Sequence, residues 1–167
     1  MIYVGEFESP LGVLLLVADE KVLHRLSFTS ESTQMRRRKE VIPIVSIREE
    51  LQQYFAGRLT RFQTPIAPVG TPFQQEVWRA LQQIPFGETV SYRDIARRIN
   101  RPKAARAVGR ANGANPLPII IPCHRVVQAD TTLGGYSAGR EKKERLLLHE
   151  AGVAAASPAI HAVVHAF

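Results

Sequence analysis

The chain contains a single cysteine, Cys123, which is followed directly by His124 and Arg125. The thiolate is the nucleophilic form of cysteine, and a neighbouring imidazole or guanidinium can lower the pKa of a thiol from its usual value of about 8.5. This order of residues therefore predicts an activated nucleophile. The alternative is an inert thiol, which is the usual state of a lone cysteine in an apolar core.

The segment before the cysteine is stiff and apolar. Three prolines surround the run Ile119–Ile121. Because proline fixes φ and pushes the preceding residue toward extended backbone, we expect a buried, extended approach to Cys123. Adjacent side chains on extended chain point apart, so a link between His124 and the thiol would need a bridging water or a local turn.

Two features after the cysteine could complete such a site. The glycine-rich segment 133–139 has backbone amides that could approach a ligand, although similar segments are also common turns. Lys143 and Glu150 share one face of a helix predicted from 140 to 151 and ended by Gly152. If that face points inward, Glu150 could orient an imidazole; an exposed carboxylate is the ordinary alternative.

Composition limits the class of protein. The 167 residues include 22 Lys and Arg against 15 Asp and Glu, and the formal charge of +7 favours a polyanionic partner such as nucleic acid. One cysteine excludes an intramolecular disulfide and a cysteine-rich zinc site, so we expect a reducing, cytoplasmic location. No secretory signal is recognisable, and the longest aliphatic run, Val13–Ala18, is too short to cross a membrane.

The elements that must position the thiol fall into two predicted domains, residues 1–70 and 71–167. Alternating apolar residues predict a three-stranded antiparallel meander over 2–28, and helical spacing predicts a helix over 44–55. A segment rich in proline and glycine at 64–72 marks the boundary. The first domain is interpreted as scaffold.

Three helices are predicted after the boundary. Thr71 and Gln74 make a capping-box pattern for the first helix, which we expect to run to the Pro-Phe-Gly break at 85–87. Ser91 is a candidate N-cap for the second, which ends at the Asn-Arg-Pro break at 100–102, and the third follows directly. Two short helices across a tight break are typical of a helix-turn-helix.

The third of these helices carries a basic ridge. Lys103, Arg106 and Arg110 recur at helical spacing among alanines and a glycine, so they could approach a groove of DNA closely. A solvated charged face is the alternative, and the small neighbours and overall charge favour DNA contact.

Two other clusters carry weaker signals. Arg36–Lys39 is a run of four basic residues, for which a solvated loop is favoured over a phosphate-binding patch. His161 and His165 are four residues apart, as in metal-binding helices. No glutamate follows the first histidine and no third ligand is evident, so we expect neither a metal nor another cofactor.

Together, the motifs around the thiol closely resemble those of the O6-alkylguanine-DNA alkyltransferase family. The matching residues are Arg106-Ala107-Val108-Gly109, Asn115-Pro116, Ile121-Pro122-Cys123-His124-Arg125-Val126, Gly135-Tyr136-Ser137 and Glu150. The match spans about 73–152, and the start of the chain resembles the family more loosely. The resemblance implies an α+β fold: a small RNase H-like antiparallel sheet with a helix, here without zinc ligands, and a mostly helical C-terminal domain with a winged helix-turn-helix.

The resemblance also implies a reaction. The family rotates a damaged guanine out of the duplex and transfers the alkyl group from its O6 irreversibly to a cysteine, once per protein molecule. Cys123 would be the nucleophile, His124 would take its proton through a water, and Glu150 would hold the imidazole. Tyr92 would crowd the phosphate and protonate the leaving guanine. Arg106 would fill the vacated place in the stack.

The remaining family positions are implied to bind the lesion. The carbonyls of Cys123 and Val126 would read the guanine amino group, while Tyr136 and Ser137 would bind O6. Ala138 and the pair Asn112-Gly113 depart from the family pattern. These departures bear on pocket width and lesion preference rather than on the reaction.

Two further residues and the partner follow from the same resemblance. Asn115 would tie the recognition helix to the cysteine segment, and Lys143 would tune Tyr92. The expected partner is double-stranded DNA carrying O6-alkylguanine, with O4-alkylthymine as a second candidate lesion, and no membrane. We expect a monomer in solution, and cooperative binding along DNA is left open.

Two other classes of function would use part of the same residues. A non-catalytic sensor of alkyl lesions, or a helix-turn-helix regulator, would need the paired helices but no nucleophile, so the set Cys123, His124 and Glu150 argues against it. A Cys-His hydrolase would need an oxyanion hole, and no motif of a cleft for acyl substrates is evident.

Overall fold

The computed structural model describes residues 1–29 and 40–156. The basic cluster Arg36–Lys39 and the pair His161 and His165 lie outside these ranges. The chain divides between Val69 and Gly70 into two compact units.

The first unit is a three-stranded antiparallel sheet with a helix. β1 (Tyr3–Ser9), β2 (Gly12–Ala18) and β3 (Leu23–Thr29) pair in chain order, which confirms the predicted meander. On β2 the side chains alternate, and Leu14 and Leu16 are fully buried. One face of the sheet therefore forms the core of this unit.

The helix of this unit, α1 (Ile42–Phe55), buries Ile44 and Ile47. Gly5 on the first strand lies beneath it, and a Cβ at this glycine would stand 2.7 Å from the Ile44 side chain. Only glycine allows so close an approach of helix and strand without a shift. Gly57 follows the helix with a φ of 72°, the left-handed conformation that commonly ends helices.

The second unit begins with α2 (Pro72–Leu81), and the predicted capping box is present. The Gln74 N–H donates to Thr71 Oγ1 at 3.2 Å, and the Thr71 N–H donates to Gln74 Oε1 at 2.9 Å. The helix ends four residues before the expected break at 85–87, because its last hydrogen bonds give way to tighter bonds between residues three apart.

The two short helices predicted next are α3 (Tyr92–Arg98) and α4 (Ala105–Gly113). Ser91 caps α3 as expected, and the chain turns after it at Asn100, whose φ is 57°. The second helix begins two residues later than predicted, so Lys103 lies in the turn that precedes it. The pair of helices expected for a helix-turn-helix is present; the wing remains a prediction.

A two-stranded parallel ladder brings the start of α3 to the segment that follows the cysteine. β4 (Val90–Ser91) pairs with β5 (Val126–Val127). Tyr92 directly follows the first of these strands, and the Cys123–Arg125 turn directly precedes the second. The ladder therefore draws the tyrosine and the cysteine toward each other.

The last helix, α5 (Arg140–Ala156), is longer than predicted. The expected end at Gly152 is wrong, because the alanines that follow continue the helix, and a glycine inside a helix costs only about 1 kcal/mol relative to alanine. Lys143 and Glu150 both lie on its buried face. Within the described ranges, no helix is both long and apolar enough to span a bilayer.

Candidate active site

Cys123 begins a short 3-10 helix, Cys123–Arg125, and does not lie on extended chain. Pro122 adopts φ −79° and ψ 63°, the inverse γ-turn conformation, and across it the Cys123 N–H donates to the Ile121 carbonyl at 2.7 Å. Ile119 has a φ of 74°. The expected extended approach is therefore wrong, because proline fixes φ but leaves ψ free to turn. The approach is buried, as expected.

Two buried asparagines hold this turn in place. Asn115 donates from Nδ2 to the Ile121 carbonyl at 2.7 Å and accepts from the Leu117 N–H at 2.9 Å. It therefore braces the loop that leads to the cysteine. The bond from α4 itself comes from Asn112, whose Nδ2 donates to the Cys123 carbonyl at 3.3 Å. Sequence reasoning noted Asn112 only as a departure from the family pattern.

The Cys123 thiol is neutral at rest. It is 1% exposed, and burial raises its pKa to about 11, although Asn115, the Lys143 ammonium and Tyr136 each oppose part of this rise. The prediction that His124 and Arg125 would lower the pKa of the thiol is therefore wrong, because burial raises it. A thiol with so high a pKa needs a base to remove its proton during reaction.

His124 follows the thiol directly in the sequence, and its imidazole is fully buried beside Glu150. Its Nε2 lies 2.8 Å from Glu150 Oε1, and its Nδ1 has no hydrogen-bond partner in the described part of the chain. Burial lowers the pKa of His124 below its ordinary 6.5, while Glu150 partly opposes this. The imidazole is therefore neutral, donates its single proton to the carboxylate and keeps Nδ1 as a free base.

Arg125 holds the carboxylate that orients this imidazole. Its Nε donates to Glu150 Oε2 at 2.8 Å and its Nη2 to Oε1 at 2.9 Å, and its Nη1 donates to the Ile84 carbonyl at 2.7 Å. Its guanidinium also lies over the Phe86 ring, 5.6 Å from the centroid. His124 and Arg125 together hold the pKa of the Glu150 carboxyl well below its usual range, against the effect of burial. Sequence reasoning placed Arg125 beside the sulfur and missed this contact.

An open cleft of about 470 Å³ lies between α3, α4 and the loop after the cysteine. The residues that line it include Tyr92, Arg106, Gly109, Asn112, Gln128 and Tyr136. Gly134 borders the Tyr92 hydroxyl with a φ of 65°, and a Cβ there would stand 3.2 Å from that oxygen. Glycine at this position therefore leaves the hydroxyl accessible.

The buried lysine of α5 connects the cleft wall to the cysteine segment. Lys143 Nζ donates to the Val126 carbonyl at 2.6 Å and to the Gly135 carbonyl at 3.2 Å, and it lies 6.0 Å from the centroid of the Tyr92 ring. Burial lowers its pKa to about 8. The pKa of Tyr92 is raised by burial and then by Cys123, so its phenol is protonated at neutral pH.

The other residues predicted to bind the lesion take different positions. The Tyr136 hydroxyl is buried, and no atom in the described ranges makes a hydrogen bond with it. Burial and the nearby Cys123 raise the pKa of Tyr136 well above its ordinary value. Ser137 is exposed on the same loop, and Val126 presents its carbonyl to Lys143.

The basic residues predicted to contact DNA are all exposed. Arg106 lines the cleft, Arg110 lies one turn further along α4, and Lys103 lies in the preceding turn. The described residues contain no cluster of three side chains able to ligate a metal. The site therefore consists of a buried thiol, buried hydrogen bonds from His124 and Arg125 to Glu150, and a cleft lined by basic residues.

Two family models match the chain and together cover almost all of its described residues. The ribonuclease-like domain of 6-O-methylguanine DNA methyltransferase matches residues 2–68, and the DNA binding domain of 6-O-methylguanine DNA methyltransferase matches residues 72–152.

Curated relatives and solved structures agree with these matches. The constitutive methylated-DNA–protein-cysteine methyltransferase of Bacillus subtilis is 41% identical over 89% of this chain and 94% of the relative. The Methanosarcina acetivorans methylated-DNA–protein-cysteine methyltransferase is 44% identical over 87% and 96%. The crystal structure of Mycobacterium tuberculosis O6-methylguanine methyltransferase has a TM-score of 0.83 at 41% identity, over 96% and 99% of the two chains. A structure of the M. tuberculosis protein in complex with DNA has a TM-score of 0.81 at 42% identity, over 93% and 95%.

The contact between Arg125 and Glu150 predicts coupled losses of stability. Arg125→Gln should lower the free energy of unfolding by about 3–5 kcal/mol, because it leaves a buried carboxylate with fewer donors. Glu150→Gln should cost a similar amount, and the double variant should lose much less than the sum. Denaturant unfolding of all four proteins measures this coupling.

The exposed residue Arg97, 3.6 Å from Asp94 in an open pair, provides the control. Arg97→Gln should change the free energy of unfolding by no more than about 0.5 kcal/mol. Losses from Arg125→Gln and Glu150→Gln that simply add would show that these two residues act independently.

Proposed function

The chain belongs to the 6-O-methylguanine DNA methyltransferase family, and we propose that it repairs DNA by moving an alkyl group from O6 of a guanine to the sulfur of Cys123. One observation carries this proposal. The only cysteine of the chain is buried, and it directly precedes a buried histidine, His124, whose Nδ1 has no hydrogen-bond partner among the described residues. A buried thiol with a raised pKa and an adjacent oriented base is suited to a nucleophile that is deprotonated only as it reacts.

The proton path begins at the thiol. A water molecule bridges the sulfur and His124 Nδ1, and the imidazole takes the thiol proton through it. The positive charge that forms on His124 is stabilised by Glu150, which is already ionised because Arg125 holds it. This arrangement orients the base and stabilises its protonated form, as in other Cys-His-acid relays.

Transfer then proceeds by displacement at the alkyl carbon. The sulfur forms a bond to this carbon, the bond from the carbon to O6 breaks, and the electron pair stays on the guanine. Tyr92 donates its phenolic proton to the departing base, which would otherwise leave as an anion. The Lys143 ammonium near the Tyr92 ring stabilises the phenolate that remains.

The product explains why each molecule acts once. A thioether on Cys123 offers no route for the sulfur to leave, and the chain has no second cysteine that could resolve it. The absence of any cofactor in the scheme follows from the same chemistry, because the thiol itself accepts the alkyl group. A reducing compartment keeps such a thiol competent, and we place the protein in the cytoplasm.

DNA is held on the face that carries the cleft. Lys103 and Arg110 contact phosphates, while Arg106 occupies the space of the nucleotide that rotates into the cleft. Within the cleft, Tyr136 and Ser137 approach O6 of the guanine. The partner is thus duplex DNA carrying O6-alkylguanine, read by one monomer, with O4-alkylthymine as a second candidate lesion.

The proposed transfer predicts a stoichiometric reaction. DNA that carries O6-methylguanine with a radiolabelled methyl group should pass its label to protein until one equivalent is consumed, and peptide mapping should find the label on Cys123. Cys123→Ser should bind the same DNA with nearly unchanged affinity and accept no label. Label released into solution, or more than one equivalent transferred, would contradict the proposal.

The titration of the site predicts how the transfer rate depends on pH. His124 must be neutral to accept a proton and burial lowers its pKa below the ordinary 6.5, so the rate should be held at pH 6.5 and should fall only at more acidic pH. Lys143 loses its proton near pH 8, so the rate should fall again above about pH 8. Between these limits the single-turnover rate should be level.

Lys143→Met is the matched control. Its transfer rate should no longer fall above about pH 8, and its rate in the pH-independent range should be lower than that of the parent. A parent rate that rises about tenfold per pH unit from 6.5 to 8 would mean that the thiol loses its proton to solvent, and His124 would not be its base.

The role of Arg106 is separable from that of its basic neighbours. Arg106→Ala should slow repair of matched duplex far more than it weakens affinity for undamaged duplex. The deficit should shrink when the lesion lies opposite a mismatch or in a single strand, because unpairing there costs less. Single-turnover rates on the three substrates measure this difference.

Arg110→Ala serves as the control, since loss of a phosphate contact should weaken binding to every duplex. The slope of the logarithm of the binding constant against the logarithm of the salt concentration should become shallower by about one. An Arg106→Ala deficit of equal size on all three substrates would reduce Arg106 to another phosphate contact.

A further inference from the structure

The parallel ladder of the second unit ends at two polar side chains. Ser91 of β4 lies opposite Val127 of β5, and the next residues along the two strands are Tyr92 and Gln128. Strands of a parallel pair run in the same direction, so these two residues leave the ladder at the same end. Both of them line the cleft.

Gly134 shows how close the two side chains come. A Cβ at this glycine would stand 3.2 Å from the Tyr92 hydroxyl oxygen and 3.3 Å from Gln128 Nε2. The phenol and the amide therefore lie beside the same backbone position, and Gly134 places no side chain between them. The structure shows no hydrogen bond between these two described side chains. Because Gln128 is exposed, a change of rotamer can bring its amide to the phenol.

The backbone of Gln128 is held in a turn, while its side chain is available to a partner. Its N–H donates to the Thr132 carbonyl and its carbonyl accepts from the Thr131 N–H, both at 2.9 Å. Its side-chain amide forms no hydrogen bond with the part of the chain that the structure describes. A glutamine amide has two N–H donors and no charge. The turn therefore presents an unused neutral donor at the wall of the cleft.

Tyr92 lacks such a donor at its oxygen. Burial and then Cys123 raise the pKa of its phenol, so it is a weaker acid than a free tyrosine. The Lys143 ammonium lies 6.0 Å from the centroid of the ring and donates to two backbone carbonyls, so it acts on the ring through space. No described residue makes a hydrogen bond to the phenolic oxygen.

A nucleotide in the cleft increases the need for a donor. In the free protein the phenol is only half-buried, so water can reach its oxygen. A nucleotide that enters the cleft displaces this water, and a donor from the protein must then take its place. A hydrogen bond to a charged acceptor is about twice as strong as one between neutral groups. A donor at this oxygen therefore stabilises the phenolate more than the phenol, and it speeds transfer more than it tightens binding.

Resting on the proposed function, we propose that Gln128 is a positioning residue for this proton transfer, whose Nε2 donates a hydrogen bond to the Tyr92 oxygen as the phenol protonates the departing guanine. The phenolic proton moves to the guanine, and its electron pair remains on the Tyr92 oxygen. The Gln128 amide keeps its own protons and donates only a hydrogen bond. Its role differs from that of Lys143, which places a positive charge near the ring.

The test measures the single-turnover transfer rate from an O6-methylguanine duplex at saturating DNA, and the DNA affinity separately. Gln128→Leu should lower the rate about 3- to 10-fold, the range expected for one hydrogen bond, and should change the affinity by less than about twofold. Gln128→Glu should lower the rate further, because a carboxylate does not donate and repels a phenolate. Gln83→Leu makes the same change at an exposed glutamine outside the cleft and should leave the rate unchanged.

A cycle with Tyr92→Phe separates the proposed role from a contact with DNA or support of the fold. Phenylalanine has no proton to give, so Gln128→Leu should slow the parent and have no further effect in Tyr92→Phe. If Tyr92→Phe transfers too slowly to measure, the protein is made with 3-fluorotyrosine, which is a stronger acid than tyrosine. The deficit of Gln128→Leu should then be smaller, because a weaker base gains less from a donor.

Two results would overturn the proposal: a parental transfer rate in Gln128→Leu, or a deficit of the same size whether residue 92 is tyrosine or its replacement. The first would leave Gln128 as a solvated residue of the turn, and the second would make it a contact with DNA. Failure of the proposed function would look different, because no label would then reach Cys123 even in the parent.

Discussion

The ionised carboxylate of Glu150, buried between Arg125 and His124, is the interaction on which the rest of the site depends. A lone carboxylate in this position would take up a proton, because burial without a partner disfavours the charge. The Arg125 guanidinium keeps it ionised, and the Gly87 N–H adds a further donor at 3.2 Å. The ionised carboxylate then fixes the imidazole as a donor at Nε2 and leaves Nδ1 free. Three segments distant in sequence thus meet at one side chain.

Burial keeps the Cys123 thiol neutral, so the proposed reaction must activate it only when the substrate is bound. A nucleophile that reacts only once benefits from being unreactive until its substrate arrives, and a buried neutral thiol is unreactive. Its backbone is held by side chains that bind carbonyls of the same segment: Asn115 at Ile121, Asn112 at Cys123 and Lys143 at Val126. The segment is thus tied both to the helix that faces the cleft and to the helix that carries Glu150.

Much of the fold was predictable from periodicity and capping chemistry. The strands are specified by alternating leucines and two of the helices by the caps Thr71 and Ser91, and these signals lie within the elements that they specify. The placement of Arg125 was not predictable. A 3-10 helix has three residues per turn, so Cys123, His124 and Arg125 point in three directions, and sequence neighbours do not share surroundings. The wrong end assigned to α5 at Gly152 has a similar origin, because a terminating glycine and one inside a helix look alike in sequence.

Nitrogen NMR of His124 tests the central claim most directly. In the free protein at neutral pH, selectively labelled histidine should show a neutral imidazole with its proton on Nε2 and an unprotonated Nδ1. In this state Nε2 donates its proton to Glu150 and Nδ1 is unprotonated, as the proposed transfer requires. A protonated Nδ1 with a bare Nε2, or an imidazolium at neutral pH, would contradict the account.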